Sequence, residues 1–187
     1  MAYLNPQELQ QMGFARLGRN LKISSRAAIY DAELISIGDN ARIDDFCVVS
    51  GRVTLGRNAH IAVFCNIAGG TEGVTVDDFS GVAYGSHVFS QSDDFSGRAL
   101  TGPTIPAQYT MVARKPVYIG RHCIVGAASV ILPGVTLGDG TAVGAMSLVT
   151  QSTDEWSIYV GNPAKRIKAR RRDLLELEKA YLASEQS

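Results

Sequence analysis

Aliphatic residues recur every six positions along most of this chain. Ile37, Ile43, Val49, Leu55, Ile61 and Ile67 form one unbroken run, and Ile119, Val125, Ile131, Leu137, Val143 and Val149 form another. Leu17, Ile23 and Ile29 keep the same period, as do Val76, Val82 and Val88. An amphipathic helix needs apolar spacings of three and four, and a half-buried strand alternates by two. A period of six fits neither and predicts a parallel β-helix. Small residues stand two positions before many of these aliphatics: Cys47, Cys65, Cys123, Ser129, Val135, Thr141 and Ser147. Residues i and i−2 of a strand share a face, so both sets line one interior. Three short strands and three corners then make one coil of a triangular prism, and the eighteen aliphatic positions predict about six coils. Gly or Asp follows many of them, as in Ile37-Gly38, Leu55-Gly56 and Val76-Asp77. Such residues are expected at corners that need φ > 0 or a local side-chain hydrogen bond.

The pattern also marks its own ends and breaks. Asn5-Pro6-Gln7-Glu8 reads as a helix start, with Asn as N-cap, Pro at the first position and Glu at the third. A short N-terminal helix within 1–14 would cover one open end of the prism. The repeats occupy 17–154, and a C-terminal helix over 168–184, with Leu174, Leu177 and Tyr181 on one face, is expected to close the other end. Two breaks in the period are small. The third is an insertion of 25 residues between Val88 and Ile119. Excursions this long inside a compact domain are usually functional or disordered. This loop, 89–118, carries Asp93, Asp94, Phe95, Arg98, Tyr109 and Arg114, a mixture that reads as a binding arm. Arg98, Tyr109 and Arg114 are its candidate substrate contacts. At 187 residues the chain reads as a single domain, 1–187.

Outward positions add a partner. Counting strands in threes places Val48, Asn66, His87, Val130 and Leu148 on one flat side. An apolar outer face on a prism implies a contact, and a cyclic homotrimer is the simplest closed solution for a three-sided rod. His87 and the root of the loop lie beside that contact.

Composition changes the picture mainly by exclusion. Eighteen basic and eighteen acidic residues balance, so no long-range field favours nucleic acid or an anionic membrane. No apolar run is long enough to insert into a bilayer, and the first residues lack a secretory pattern. The three cysteines share the inner-wall phase and form neither a disulfide framework nor a zinc motif. A cytoplasmic setting is expected.

The run Val125-Gly126-Ala127-Ala128-Ser129-Val130-Ile131-Leu132-Pro133-Gly134 and the closing Val160-Gly161-Asn162-Pro163-Ala164-Lys165 resemble hexapeptide-repeat acyltransferases. That resemblance implies an all-β repeat fold, a left-handed parallel β-helix, assembled as a homotrimer and using acetyl-CoA or another acyl-CoA without a metal. Ser92-Asp93-Asp94-Phe95-Ser96-Gly97, with Thr101-Gly102-Pro103-Thr104-Ile105-Pro106, narrows it. These segments resemble the nucleotide-sugar N-acyltransferases of the VioB and AntD type, which act on dTDP-4-amino-4,6-dideoxyglucose in O-antigen or related glycan synthesis.

Acyl transfer needs a nucleophile, a destination for its proton and donors for the developing oxyanion. A neutral amine is already a good nucleophile, and a carboxylate can orient it and offset the charge forming on nitrogen. By the motif match Asp94, and secondarily Asp93, fills that role. An alcohol acceptor would instead need a base, and His87 is the candidate for such an O-acetyltransferase. His60 and His122 read as exposed strand residues. A zinc hydro-lyase of similar fold would need three clustered His, and no such spacing is present. For the acyl-CoA, Ala127 and Ala145 sit eighteen residues apart at equivalent corners. By resemblance their amides bind the pantetheine arm, and Lys165 and Arg166 are placed to meet the CoA phosphates.

Overall fold

The computed structural model describes residues 2–185. Strands of two or three residues, with one of five in the last coil, alternate with corners and assemble into three parallel sheets, the faces of the prism. The first face stacks Arg16–Leu17, Ile35–Ile37, Val53–Leu55, Val74–Val76, Val117–Ile119 and Thr136–Leu137. The second stacks Lys22–Ile23, Arg42–Ile43, His60–Ile61, Gly81–Val82, Ile124–Val125, Ala142–Val143 and Ser157–Gly161. The third stacks Ala28–Ile29, Val48–Ser50, Asn66–Ala68, His87–Phe89, Val130–Ile131 and Leu148–Val149.

Register brings each periodic aliphatic onto the next: Ile37 pairs Leu55, Ile43 pairs Ile61, and Val49 pairs Ile67. The interior is apolar and continuous, with Ile43, Ile61, Ile67, Ile119, Ile131 and Leu137 fully buried. Cys47, Cys65, Cys123, Ser129, Thr141 and Ser147 are buried beside them, as the phase requires. Six complete coils are followed by most of a seventh, in which Thr153 bridges Leu137 and Tyr159 pairs Val143. Those two positions are not aliphatic, so the aliphatic count stops one turn short.

Corners depart from expectation in one respect. Backbone with φ > 0 falls not on the glycine after each aliphatic but two residues further on. It occurs at Asn40, Asn58, Phe79, His122 and Trp156 on one corner, and at Phe46, Phe64, Gly85, Ala128 and Met146 on the next. Gly38 and Gly56 serve a different need. A Cβ on Gly38 would lie 2.6 Å from the Arg57 amide nitrogen of the coil above, and one on Gly56 2.5 Å from that of Asp78. Close approach between coils, not turn geometry, selects glycine there.

Helix α1, Pro6–Gln11, covers the first coil. The Asn5 side chain accepts from the Gln7 and Glu8 amides, and Glu8 accepts from the Asn5 amide. Its buried face presents Leu9 to the core. The other end is finished by an antiparallel hairpin in which Ser157–Gly161 pairs Ala164–Ala169, with Trp156 buried beneath it. Helix α2, Leu174–Ser184, begins later than position 168 and does not close that end. It lies along the corner between the first and second faces. Glu178 meets His122 and Arg121, the Tyr181 hydroxyl accepts from Asn58, and Glu185 accepts from Asn40 and Arg57. Those partners descend coil by coil, so α2 runs back toward the N-terminal coils. Leu177 stays exposed, at 71%; polar pairs, more than the expected apolar face, dock this helix.

Candidate active site

The arm leaves the fourth coil at the corner between the third and first faces. Gln91–Ser92 pairs antiparallel with Ala113–Arg114, and the Lys115 amide donates to Ser90 O at 2.9 Å, which closes the root. Above the root, Leu100 bridges Thr110 beside a single turn at Ala107–Tyr109. Among the described residues, no hydrogen bond joins 93–112 to the prism. Phe95 is 93% exposed at the tip. The arm is folded on itself and offered outward.

Asp94 organises that tip. Its carboxylate accepts from the Ser96 hydroxyl at 2.7 Å and from the amides of Ser96, Arg98 and Ala99 at 3.1, 2.9 and 3.3 Å. These bonds, the Ser96 hydroxyl first, hold its pKa below the usual carboxylate range despite some desolvation. Hydrogen bonds to the charged form always act in this direction. A carboxylate so stabilised is a weak proton acceptor but a permanent anion at neutral pH. It suits charge stabilisation better than general-base work, which favours a pKa near the operating pH.

The other loop candidates divide into two groups. Asp93 and Arg114 line a hollow of about 390 Å³ with Ser92, Pro103 and Ile105. Arg98 and Tyr109 line a separate depression on another side of the arm. His87 is exposed on the third face, between Asn66 and Val130. It shares the outer surface with Val48 and Leu148, as strand counting requires.

Ala127 and Ala145 stand at the corner between the second and third faces. They belong to adjacent coils, with the Met146 amide donating to Ala127 O at 2.8 Å. Among the described residues, neither alanine's own N–H has a hydrogen-bond partner. Val63 and Tyr84 leave the same amide open lower in the column, but their side chains are large. A methyl at Ala127 and Ala145 lets an extended ligand approach the backbone and satisfy those donors. The hairpin continues the column upward, where the Gly144 amide donates to Tyr159 O and Lys165 pairs Val160. Lys165 is exposed, whereas Arg166 is engaged by Ser157 Oγ at 2.9 Å and by Asp154 at 3.8 Å. Six residues separate Tyr84 from the root at Ser90, a span of at most about 20 Å of extended chain. The chain carries the anionic arm and the open amides at the two corners that bound the third face.

One histidine was misplaced by sequence. His122 is not an exposed strand residue; it is a buried corner residue at φ 59°. It stacks on Phe79 with centroids 5.4 Å apart, and its Nε2 lies 2.9 Å from Glu178. Burial first, then Arg121 and Arg170, hold its pKa below the ordinary imidazole value, so the neutral ring donates to the carboxylate. His60 is half-buried, 2.9 Å from Asp44, which also accepts from Arg42 at 2.6 Å. Its stacking on Arg42 was legible as an offset of eighteen residues. Among the described residues, no group of His, Cys, Asp or Glu comes together as a metal site.

Comparison with known proteins agrees with this geometry. The family described as bacterial transferase hexapeptide (six repeats) matches residues 35–69 and 116–151, leaving out the arm. The Escherichia coli dTDP-4-amino-4,6-dideoxy-D-glucose acyltransferase is 40% identical over 98% of this chain and 97% of its own. The structure of AntD, an N-acyltransferase from Bacillus cereus in complex with dTDP and 3-hydroxybutyryl-CoA, superposes with a TM-score of 0.97. It is 48% identical, covering 99% of this chain and 98% of that one. A maltose O-acetyltransferase from Clostridium difficile 630 shares the fold alone, with a TM-score of 0.59 and 20% identity over 89% of this chain and 74% of its own. A hexapeptide repeat broken by one long arm, matched end to end at this identity, places the chain in the family of dTDP-4-amino-4,6-dideoxyglucose acyltransferases, left-handed β-helical enzymes built on the hexapeptide repeat.

Proposed function

We propose that this enzyme transfers an acyl group, acetyl or similar, from acyl-CoA to the 4-amino group of a dTDP-4-amino-4,6-dideoxyhexose, in the cytoplasm, for O-antigen or related surface glycans. The observation that carries the reading is the division of labour along one face. The arm supplies an anion, Asp94, that stays charged at neutral pH, and the far corner supplies two open amides at Ala127 and Ala145. Pantetheine lies along that column with its thioester toward the fourth coil and its phosphates toward Lys165, with Arg166 adding charge nearby. Asp94 orients the acceptor amine and offsets the positive charge that forms on nitrogen as it attacks the thioester carbonyl; the C–S bond then breaks, and the departing CoA thiolate takes up the proton lost from nitrogen and leaves as the free thiol. Asp93, Arg98, Tyr109 and Arg114 hold the nucleotide sugar, and His87 flanks the path between the two ends.

Because one chain keeps these halves apart, the active unit is a homotrimer in which the arm of one protomer reaches the alanine column of the next. The apolar strip of Val48, Val130 and Leu148 is the contact that aligns them. The test is release of free thiol from acetyl-CoA against a panel of amino- and hydroxy-sugar nucleotides. Turnover is expected with the 4-amino sugar and not with its 4-hydroxy counterpart. Turnover only with hydroxy-sugars, abolished in His87→Ala, would overturn the reading in favour of O-acetylation.

A further inference from the structure

The even overall charge hides an uneven distribution. Lys165, Arg166, Lys168, Arg170, Arg171 and Arg172 fall within eight residues that hold no acid. They are a third of the chain's eighteen basic residues, so the rest of the molecule is net acidic. The fold puts this run at one end of the rod. Ala164–Ala169 is the last strand of the second sheet, paired on one side with Ser157–Gly161 and, among the described residues, with no strand on the other. Its free edge faces along the rod axis, away from the prism. Helix α2 runs down a corner of the rod and leaves this end bare. Arg170 is turned inward, donating to His122 O and Gly140 O at 2.7 and 3.0 Å. The other five basic residues are exposed. Arg166 and Arg171 meet Asp154 and Asp173, and Arg172 lies over Trp156 with its guanidinium 5.1 Å from the ring centroid. Over 154–173 the six basic residues outweigh three acids, Asp154, Glu155 and Asp173. Among them stands Ile167, 55% exposed.

Edge strands are commonly blunted by a lysine or two against pairing with other chains. That need does not account for this run. Arg170, Arg171 and Arg172 lie beyond the strand, and an exposed Ile167 works against blunting. We propose that this end of the rod docks on the surface of an anionic lipid bilayer, with Lys168, Arg171 and Arg172 among the lipid phosphates and Ile167 in the headgroup layer. Lys165 and Arg166 stay with the cofactor. The inference goes beyond the acyl-transfer reading and does not depend on its acceptor. Each basic side chain close to such a surface multiplies the partition about 5-fold. Salt screening confines the attraction to about 8–10 Å, so the end of the rod is drawn in and its acidic remainder is not. In the proposed trimer, threefold rotation keeps all three ends in one plane and facing one way, and linked contacts reinforce one another. A flat lipid surface meets all three at once, whereas an acidic peptide would meet one edge. The arm leaves the fourth of nearly seven coils, well below this end, and stays open to solution.

Co-sedimentation with lipid vesicles tests the docking. At about 0.1 M salt the wild type is expected to pellet with phosphatidylcholine vesicles that contain about 30% phosphatidylglycerol, and to stay in solution with phosphatidylcholine alone. Salt at about 0.5 M should release it. Lys168→Gln combined with Arg171→Gln should lower the partition coefficient about 25-fold, and Lys168→Glu with Arg171→Glu should lower it further. Thiol release from acetyl-CoA and Tm should match the wild type in both, since neither residue lies in the site or the core. Ile167→Ala should weaken binding about 3- to 10-fold and leave the salt dependence in place. Wild type that ignores the anionic vesicles, or binds neutral ones equally well, would overturn the proposal. So would pelleting that survives both double variants. Binding to a single-stranded oligonucleotide as tight as to the anionic vesicles, with no loss on either surface in Ile167→Ala, would overturn it in favour of a general polyanion surface.

Discussion

The prism and the arm are built from one chain by opposite means. In the prism each strand away from the two ends is satisfied by the coil above and below, and the periodic aliphatics are almost wholly buried. In the arm, bonds close only on themselves, and the residues that matter are polar and exposed. A substitution inside the prism is expected to be felt as stability, and one in the arm as chemistry. On the proposed function, the difference teaches that stability and activity should be separable almost residue by residue.

The sharpest way to break that separation is Asp94→Asn. It removes the charge and turns an NH2 toward donors that the carboxylate now accepts from, so kcat should fall on the order of 10²- to 10³-fold while Tm and CoA affinity, which rest on the prism, stay near wild type. His87→Ala should cost less, because a neutral amine needs little activation; initial rates under saturating acyl-CoA rank the two. Asp at both Val130 and Leu148 should next abolish assembly, since it buries unpaired charge in the contact. Sedimentation would report monomers, and loss of activity would follow with the arm itself untouched. Ile61→Ala, on the inner wall, should cost about 2–5 kcal/mol of stability, whereas Phe95→Ala should change stability by less than about 0.5 kcal/mol. Denaturant titration of the pair measures the contrast directly, and equal costs would mean that the arm packs on the prism after all. The smallest effect concerns α2. His122 is held neutral in the fold, so the unfolded chain binds its proton more readily. Stability should then fall as pH drops below about 6.5, and melting curves of His122→Gln should lose that dependence.

The prism was legible because its information is one-dimensional. Phase alone placed Cys47, Cys65 and Cys123 inside and Val130 and Leu148 on one outer side. It also placed Ala127 under Ala145, since eighteen residues make one coil. What phase does not carry was missed. The α2 partners, Asn40, Asn58 and His122, are corner residues, and their pairing with Glu185, Tyr181 and Glu178 respectively leaves no periodic trace. The expectation that α2 closes an end rested on its apolar face, and the hairpin at Ser157–Gly161 and Ala164–Ala169 had taken that place. The arm was recognisable as an arm, at whose tip Asp94 accepts from Ser96, Arg98 and Ala99. Its division into two hollows was not, because nothing repeats in it.

The root at Ser90 and Lys115 has a consequence for how such enzymes diversify. The chain leaves and re-enters the prism at one corner, across a two-residue ribbon, so the coils on either side meet as if nothing stood between them. Val76 pairs Ile119 in the same register as it pairs Leu55. The entropic cost of a longer insertion grows only logarithmically, by about 0.6 kcal/mol per doubling of length. Loop content can therefore be rewritten by mutation with little debt to folding. New acceptors can be tried on an unchanged acyl-donor track, and selection is free to work on specificity one loop at a time.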